Sequence, residues 1–287
     1  RALPWALELW PFRPIAKREP NMRPYVMNTN QRSHRNAKRI HLFATAENMP
    51  TNIHIGTSGY QYDHWKGVFY PEDAPKNKWF GHYVKHFDTV EINNTFYNMP
   101  KAETFDDWKD AAPKGFCYVL KYSRYGTHMK KLKAPGDHLS YFLERAEHLG
   151  NMLGPILVQL PPNWNCNPGR LDEFLDAAPK KHRWAVELRD PDWLCDEIYG
   201  VLRAHNTPLV IHDMIPDHPR VVTADWIYLR FHGEDYGGSY SDSELEDVAS
   251  RIKDHLSDDR EVFAYFNNDA EGCAVQNALT LKEMLAQ

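Results

Sequence analysis

The sequence predicts a single α/β barrel of the TIM type, (β/α)8, over residues 52–287, with a basic, non-globular N-terminal extension over residues 1–48. Three observations lead there. Eight short, apolar, β-rich runs recur along the chain, amphipathic stretches of helical period separate them, and charged or amide side chains stand at their carboxyl ends.

The runs span 53–56, 89–93, 117–121, 156–160, 184–188, 209–213, 227–232 and 262–267. After the first, Phe80, Val84 and Phe87 recur at helical spacing. After the second, Thr104 reads as a helix start with Asp107 three residues on, and Phe105, Trp108 and Ala112 form the buried stripe. Leu139, Phe142, Ala146 and Leu149 give the next apolar face, stopped by Gly150. Leu171, Phe174, Leu175 and Ala178 follow, then Ile198, Val201 and Leu202. The gap between Asp213 and Ile227 is too short for a full helix. Leu245, Val248, Ala249 and Ile252, and finally Ala274, Ala278, Leu281 and Leu285, mark the last two helices. An open doubly wound sheet is the alternative, but the Gly-rich dinucleotide loop of such sheets is missing from the sequence.

The strand ends carry the functional information. Glu91 and Asn93 end the second run, Lys121 the third, Gln159 the fourth, and Glu187 with Arg189 the fifth. His212 and Asp213 end the sixth, Arg230 and His232 the seventh, and Asn267 and Asn268 the eighth. Residues two apart share a face of a strand, so Glu91 points with Asn93, Glu187 with Arg189, and Arg230 with His232. The intervening Val90, Ile92, Val186, Leu188, Leu229 and Phe231 are apolar and suited to packing against helices. The polar faces should therefore line the carboxyl-end mouth, where barrel active sites sit. The competing account is a self-neutralising plug of Glu91, Glu187 and Asp213 against Lys121, Arg189 and Arg230. On the active-site account, Glu187→Gln or Lys121→Met leaves folding intact or slightly improves stability, whereas on the plug account Glu187→Gln unfolds the protein.

Composition excludes some classes. No apolar run approaches the roughly 20 residues of a membrane helix. Cys117, Cys166, Cys195 and Cys273 are scattered, which fits reduced thiols in a cytoplasmic location better than a disulfide framework or a zinc site. Residues 1–48 hold nine Lys or Arg against three acids, a charge of +6 in a chain of −5, so residues 49–287 carry −11. A body that acidic is a poor non-specific partner for nucleic acid. The extension has five prolines and no apolar core of signal-peptide length, and it reads as disordered or non-native sequence ahead of a natural start at Met49.

Several motifs in order resemble the YecE-like family, domain of unknown function 72. They are Gly56-Thr57-Ser58-Gly59 with Trp65, Gly67, Phe69, Tyr70 and Pro71, and Thr89-Val90-Glu91-Ile92-Asn93 with Thr95, Phe96, Tyr97 and Pro100. Lys121, Ser123-Arg124-Tyr125, Thr127-His128 and Gln159-Leu160-Pro161-Pro162 follow. Glu187, Arg189, Trp193, Arg230, His232-Gly233 and Tyr265-Phe266-Asn267-Asn268 complete the set. The resemblance covers residues 53–287 and implies a TIM-type barrel without implying a settled activity. Tyr60 and Gly126 depart from the family's usual Trp and branched apolar residue, and His212-Asp213 matches more loosely.

Sequence alone leaves the chemistry open among three classes. The first is an enzyme using acid–base chemistry, with Glu187, Lys121, Glu91 and His128 as candidate catalytic groups. Asn93, Tyr97, Gln159, Arg189, Asp213, Arg230, His232, Asn267 and Asn268 would bind a small polar substrate, one that the loops after the seventh and eighth strands would hold by a phosphate. A lysine at a barrel strand end also permits a Schiff base. The second class is a metal-dependent hydrolase using Glu91, Glu187, Asp213, His212 and His232. Against a metal stand the absence of HxH or HExxH spacing and the cations Lys121, Arg189 and Arg230 beside the ion. The third is a non-catalytic binder of nucleic acid or another polymer, stacking it on loop aromatics such as Tyr60, Tyr62, Trp65, Phe69, Tyr70, Phe96, Tyr97, Trp164 and Trp193, with Arg124, Lys130, Lys131 and Lys133 as a basic loop.

Overall fold

The computed structural model describes residues 51–233 and 236–287, so the expectation for residues 1–48 lies outside the described residues. The strands are β1 (Ile53–Thr57), β2 (Thr89–Ile92), β3 (Cys117–Lys121), β4 (Leu153–Gln159), β5 (Trp184–Glu187), β6 (Ile211–His212), β7 (Trp226–Phe231) and β8 (Glu261–Phe266). The α-helices are α1 (Trp79–Tyr83), α2 (Asn94–Tyr97), α3 (Ala102–Ala111), α4 (Gly136–Ala146), α5 (Pro168–Ala177), α6 (Asp196–Ala204), α7 (Asp242–Ser257) and α8 (Cys273–Leu285).

Hydrogen-bonded order is β1-β8-β7-β6 in one half and β2-β3-β4-β5 in the other. All these ladders are parallel. Two single bridges join the halves, Ser58 with Glu91 and Val186 with Leu209. At the first seam Gly59 N–H donates to the Glu91 carbonyl at 2.8 Å, and at the second Val210 N–H donates to the Val186 carbonyl at 2.9 Å. The sheet thereby closes into a TIM-type barrel. The first seam is tight: a Cβ on Gly56 would lie 2.6 Å from the Thr89 carbonyl oxygen, which is why the strand carries glycine there.

Two elements differ from the sequence expectation. The sixth strand is only two residues long because Pro208 has no N–H and Leu209 N–H donates to Thr223 Oγ1 at 2.8 Å instead of to a neighbouring strand. The third helix starts at Ala102 rather than at Thr104, with Lys101 as its uncapped N-cap. Ala102 is a strong helix former and Glu103 suits the positive end of the helix dipole, so the helix extends back past Thr104.

The core has two layers. Val119, Leu157, Ala185, Val210, Trp226, Tyr228, Phe263 and Tyr265 fill the barrel interior. Val90, Ile92, Val186, Leu188 and Leu229 pack outward against Phe105, Leu139, Phe142, Leu171, Phe174, Ile198 and the other buried helix residues. The alternation that assigns apolar side chains to the helix layer therefore leaves the opposite face for the lumen. At the amino end the lumen closes on His54, whose Nε2 lies 3.0 Å from Glu261 and whose ring stacks on Phe263 at 4.6 Å. Among the described residues no helix is long and apolar enough to cross a membrane.

Candidate active site in the barrel mouth

At the carboxyl end, β2, β5 and β7 bring Glu91, Glu187 and Arg230 together, all of them buried. Arg230 forks between the acids, with Nη1 donating to Glu187 Oε2 at 2.6 Å and Nη2 donating to Glu91 Oε1 at 2.7 Å. Arg189 Nε donates to the remaining Glu187 oxygen. Glu91 also accepts from Ser58 Oγ, and from Tyr228 O–H at 2.6 Å. Burial opposes ionisation of both acids, but Arg230 outweighs it, joined by Ser58 and Tyr228 at Glu91 and by Arg189 at Glu187. Glu91 is held below the usual carboxylate range and Glu187 well below it.

This corrects the sequence expectation for Glu91 and Glu187. Both are locked as anions rather than tuned toward neutral pH, so neither is poised to exchange protons. Arg230 is likewise committed to them through both Nη atoms, and although its buried Nε has no partner, it has no free pair of donors to offer a phosphate. Ser58 and Tyr228 were given no site role from sequence, although Ser58 stands in the Gly56–Gly59 motif and Tyr228 lies two residues before Arg230 on the same strand face.

Lys121 stands apart. Its side chain ends β3 only 8% exposed, and among the described residues no carboxylate lies within ion-pair distance of its amine. Nζ lies 4.6 Å from the centroid of the Phe96 ring. Burial and then the positive charge of Arg230 lower its pKa to about 8, against the opposing pull of Glu187 and Glu91. Thr95 Oγ1 donates to the Lys121 carbonyl at 2.7 Å and so ties α2, with its Phe96, to the end of β3.

The loop after β3 brings in His128. Residues Tyr125–Met129 wind as a π-turn, a form that recurs at functional sites. Gly126 permits it, since a Cβ there would lie 2.6 Å from the Tyr122 ring. His128 meets the Phe96 ring edge-on at 5.0 Å, so Lys121 and His128 both abut one aromatic ring. Its Nδ1 lies 2.9 Å from Thr127 Oγ1. Burial, then Lys121, Arg124 and Arg189, lower its pKa to about 4, so the ring is neutral at pH 7.

A third group fixes the loop after β7. His232 Nε2 faces Arg189 Nη2 at 3.0 Å and Arg230 Nη1 at 3.3 Å. A guanidinium only donates, so Nε2 accepts, and Nδ1–H points to Asp213 Oδ1 at 3.1 Å. Burial lowers the His232 pKa to about 4 in spite of Asp213, with Arg230 adding to the effect. Asp213 also accepts from His232 N–H at 2.9 Å and from the Tyr240 hydroxyl, and it is lowered to about 2. Asp213 and His232 thus hold Arg189 and the turn, which is a positioning role rather than a substrate contact.

The remaining expected residues divide. Asn93 Nδ2 donates to Ser58 Oγ at 2.7 Å while its buried Oδ1 has no partner. Gln159 ends β4 beside Glu187, and Asn267 follows Tyr265 on the lumen face of β8; both are half-buried. Tyr97 stands at the rim, 69% exposed, edge-on to Phe96 at 4.9 Å. Asn268 is corrected: it lies on the opposite face from Asn267, with Nδ2 donating to the Gly238 carbonyl at 2.7 Å and to Asn277 at 3.0 Å. It ties the last turns together and does not reach the mouth.

The alternatives fare unevenly. Among the described residues no three His, Cys, Asp or Glu converge on a common point. The donors expected for a metal are engaged elsewhere: Glu91 and Glu187 with arginines, and His212 Nε2 with the Leu188 carbonyl at 2.8 Å. Most of the aromatics expected to stack a polymer roof the barrel instead. Trp65, Tyr70 and Trp193 are fully buried, and Tyr70 stacks on Trp79 at 4.8 Å.

A closed parallel barrel with its charged side chains gathered at the carboxyl end defines this molecule as a TIM-type α/β barrel protein. Residues 54–287 match the family model described as "Protein of unknown function DUF72", and the chain belongs to that family. UPF0759 protein YunF of Bacillus subtilis is 24% identical over 81% of this chain and 94% of its own length. UPF0759 protein YecE of Escherichia coli is 31% identical over 39% of this chain and 41% of its own length. The crystal structure of a DUF72 family protein from Thermotoga maritima superposes with a TM-score of 0.75 at 28% identity, covering 82% of this chain and 99% of that one. A DUF72 family protein from Enterococcus faecalis gives a TM-score of 0.71 at 22% identity over 82% and 96% of the two chains, a likeness of fold.

Proposed function

We propose that the barrel mouth is the active site of an enzyme that moves protons on a small, polar, anionic substrate, with the Lys121 amine as the reacting base and acid. The observation that carries this is the Lys121 amine itself, buried, lacking a carboxylate partner among the described residues, and lowered to about 8. A group whose pKa lies near the working pH exchanges protons efficiently, and burial among charges is how such values arise. His128, neutral at pH 7 and edge-on to the same Phe96 ring, can offer a substrate hydroxyl a lone pair without competing for its proton.

Charge favours an anion. Glu91 and Glu187 balance Arg189 and Arg230, while Asp213, the third ionised acid, is engaged with His232 and Tyr240 rather than with Lys121, so the protonated amine is the cation of the mouth left without a carboxylate partner among the described residues. The unpartnered Asn93 Oδ1 and the amides of Gln159 and Asn267 suit a ligand that also carries hydroxyl groups. The phosphate expected after β7 and β8 is thereby moved toward β3, because Arg230 is engaged.

The test is a thermal-shift series at matched ionic strength with phosphate, sugar phosphates, short carboxylic acids and neutral sugars, on wild type and Lys121→Met. Ligand at a hundred times its Kd stabilises a fold by about 2.7 kcal/mol, a readily seen shift. The expected result is a shift with at least one anionic compound that is lost in Lys121→Met. Equal shifts in the two proteins, or none in either, overturn the proposal.

A further inference from the structure

We propose that Lys121 is a covalent nucleophile that forms an imine with a short aldehyde or ketone carrying hydroxyl or anionic groups. This rests on the mouth being the active site and names the substrate class for it.

The mouth holds several groups with lone pairs, and the geometry disqualifies the others. Ser58 Oγ donates to Glu91 and receives Asn93 Nδ2 at 2.7 Å and Arg230 Nη2 at 3.2 Å. Both oxygens of Glu91 and both of Glu187 are hydrogen-bonded. His232 Nε2 is covered by two guanidinium groups. Among the described residues Lys121 Nζ has no hydrogen bond or ion pair, and the Phe96 ring 4.6 Å from it takes up no lone pair, so the amine is free to attack once it has lost a proton.

The surroundings that suit an amine exchanging protons also suit an imine. An imine nitrogen is readily protonated, and a protonated imine has the same charge as the ammonium ion it replaces. The Glu91 and Glu187 anions that now face Lys121 would face the imine unchanged. Nζ attacks the carbonyl carbon; the C–N bond forms as the C=O π pair moves to oxygen, which takes a proton. The nitrogen loses a proton, to solvent or directly to that alkoxide oxygen, so that the neutral carbinolamine results. Protonation of the hydroxyl releases water while the nitrogen lone pair forms C=N. One amine and one carbonyl compound give one imine and one water, with no change of oxidation state. Asn93 Oδ1, a buried acceptor without a partner, is placed on the lumen face of the β2 end to receive a substrate hydroxyl.

The test is reductive trapping. The full chain is incubated at pH 8 with glycolaldehyde, pyruvate or glyceraldehyde 3-phosphate and sodium cyanoborohydride, and adducts are mapped by peptide mass. The same compounds are run without reductant in the thermal-shift assay. The expected result is an adduct at Lys121 that forms at least tenfold faster than at the exposed Lys130 and Lys131 of the same molecules, and that is competed by a compound producing a thermal shift. Trapping at Lys121 no faster than at the exposed lysines overturns the imine, and this comparison holds within wild type even if Lys121→Met fails to fold. A Lys121-dependent thermal shift without faster trapping overturns the imine and leaves the mouth as the binding site. Absence of both with every compound overturns the imine and the active-site reading together.

Discussion

Arg230 takes both buried acids of the barrel mouth, and Lys121, ending a strand of the same barrel, takes neither. One cation is thereby committed to the fold and the other is left without a carboxylate partner among the described residues. The pairing separates two roles that the residue types alone leave mixed.

The pH dependence of stability should report Lys121 directly. Its folded pKa of about 8 lies below the ordinary 10.5, so between those values the unfolded chain binds the extra proton and this residue's contribution to stability rises with pH. Arg230, Arg189, Glu187, Glu91 and His128 face it, and of these none titrates in that window. At pH 7 Lys121→Met is expected to be more stable than wild type by about 1–3 kcal/mol, and the difference should vanish by about pH 10.5. Urea unfolding of both proteins across that range checks it. A difference independent of pH would mean the amine is not protonated at a cost.

Arg230→Met should be strongly destabilising. It strands two buried carboxylates, and breaking a buried pair on one side costs about 3–5 kcal/mol. Glu187→Gln should cost a similar amount by leaving Arg189 and Arg230 short of a partner, which is the outcome of the self-neutralising plug at Glu187, so the stability expected on the active-site account is kept for Lys121→Met alone. In wild type the ionised acids contribute stability above the ordinary carboxylate pKa, and that contribution is lost as pH falls through their lowered values. The gap between Arg230→Met and wild type should therefore narrow at acid pH. Denaturant midpoints at pH 7 and about pH 4 test this.

His54 at the amino end should give the opposite slope. Burial disfavours its charge, but hydrogen bonds and charges from Asp88 and Glu261 raise it to about 9. Its stabilisation is complete below 6.5 and is lost as pH rises through about 9. Stability should fall over that window by about 1–3 kcal/mol more in wild type than in His54→Gln, whose curve lacks this component.

Much of this was legible beforehand, for a simple reason. Period-two alternation states which residues face the lumen without saying what they meet there, so Glu91, Lys121, Glu187, Arg189 and Arg230 could be placed from the sequence alone. Alternation also separates Asn267 from Asn268, and only the first shares the lumen face of Tyr265. What the sequence could not supply was pairing. Arg230 meets acids 43 and 139 residues away, contacts that exist only once the barrel has closed. Those pairings set the direction of each pKa, so the sequence leaves Glu187, Lys121, Glu91 and His128 as equal catalytic candidates and does not single out Lys121. The short sixth strand was hidden similarly, because a hydroxyl from Thr223 takes the Leu209 N–H.

The two seams of the barrel have a consequence for assembly. Glu91 and Glu187 both belong to the half built from β2 to β5, and Arg230, their shared counter-ion, belongs to the other half. The β2–β5 half alone would hold two acids with Arg189 and Lys121 beside them but no guanidinium to fork between the two, and the other half would hold Arg230 with Ser58 and His232 beside it but neither of its acids. Until the halves meet, each needs water around its charges and resists drying out. Once they meet in register, Arg230 bridges them like a clasp that fits only a correctly shut ring, and a barrel closed one residue out of step turns that clasp toward the helices.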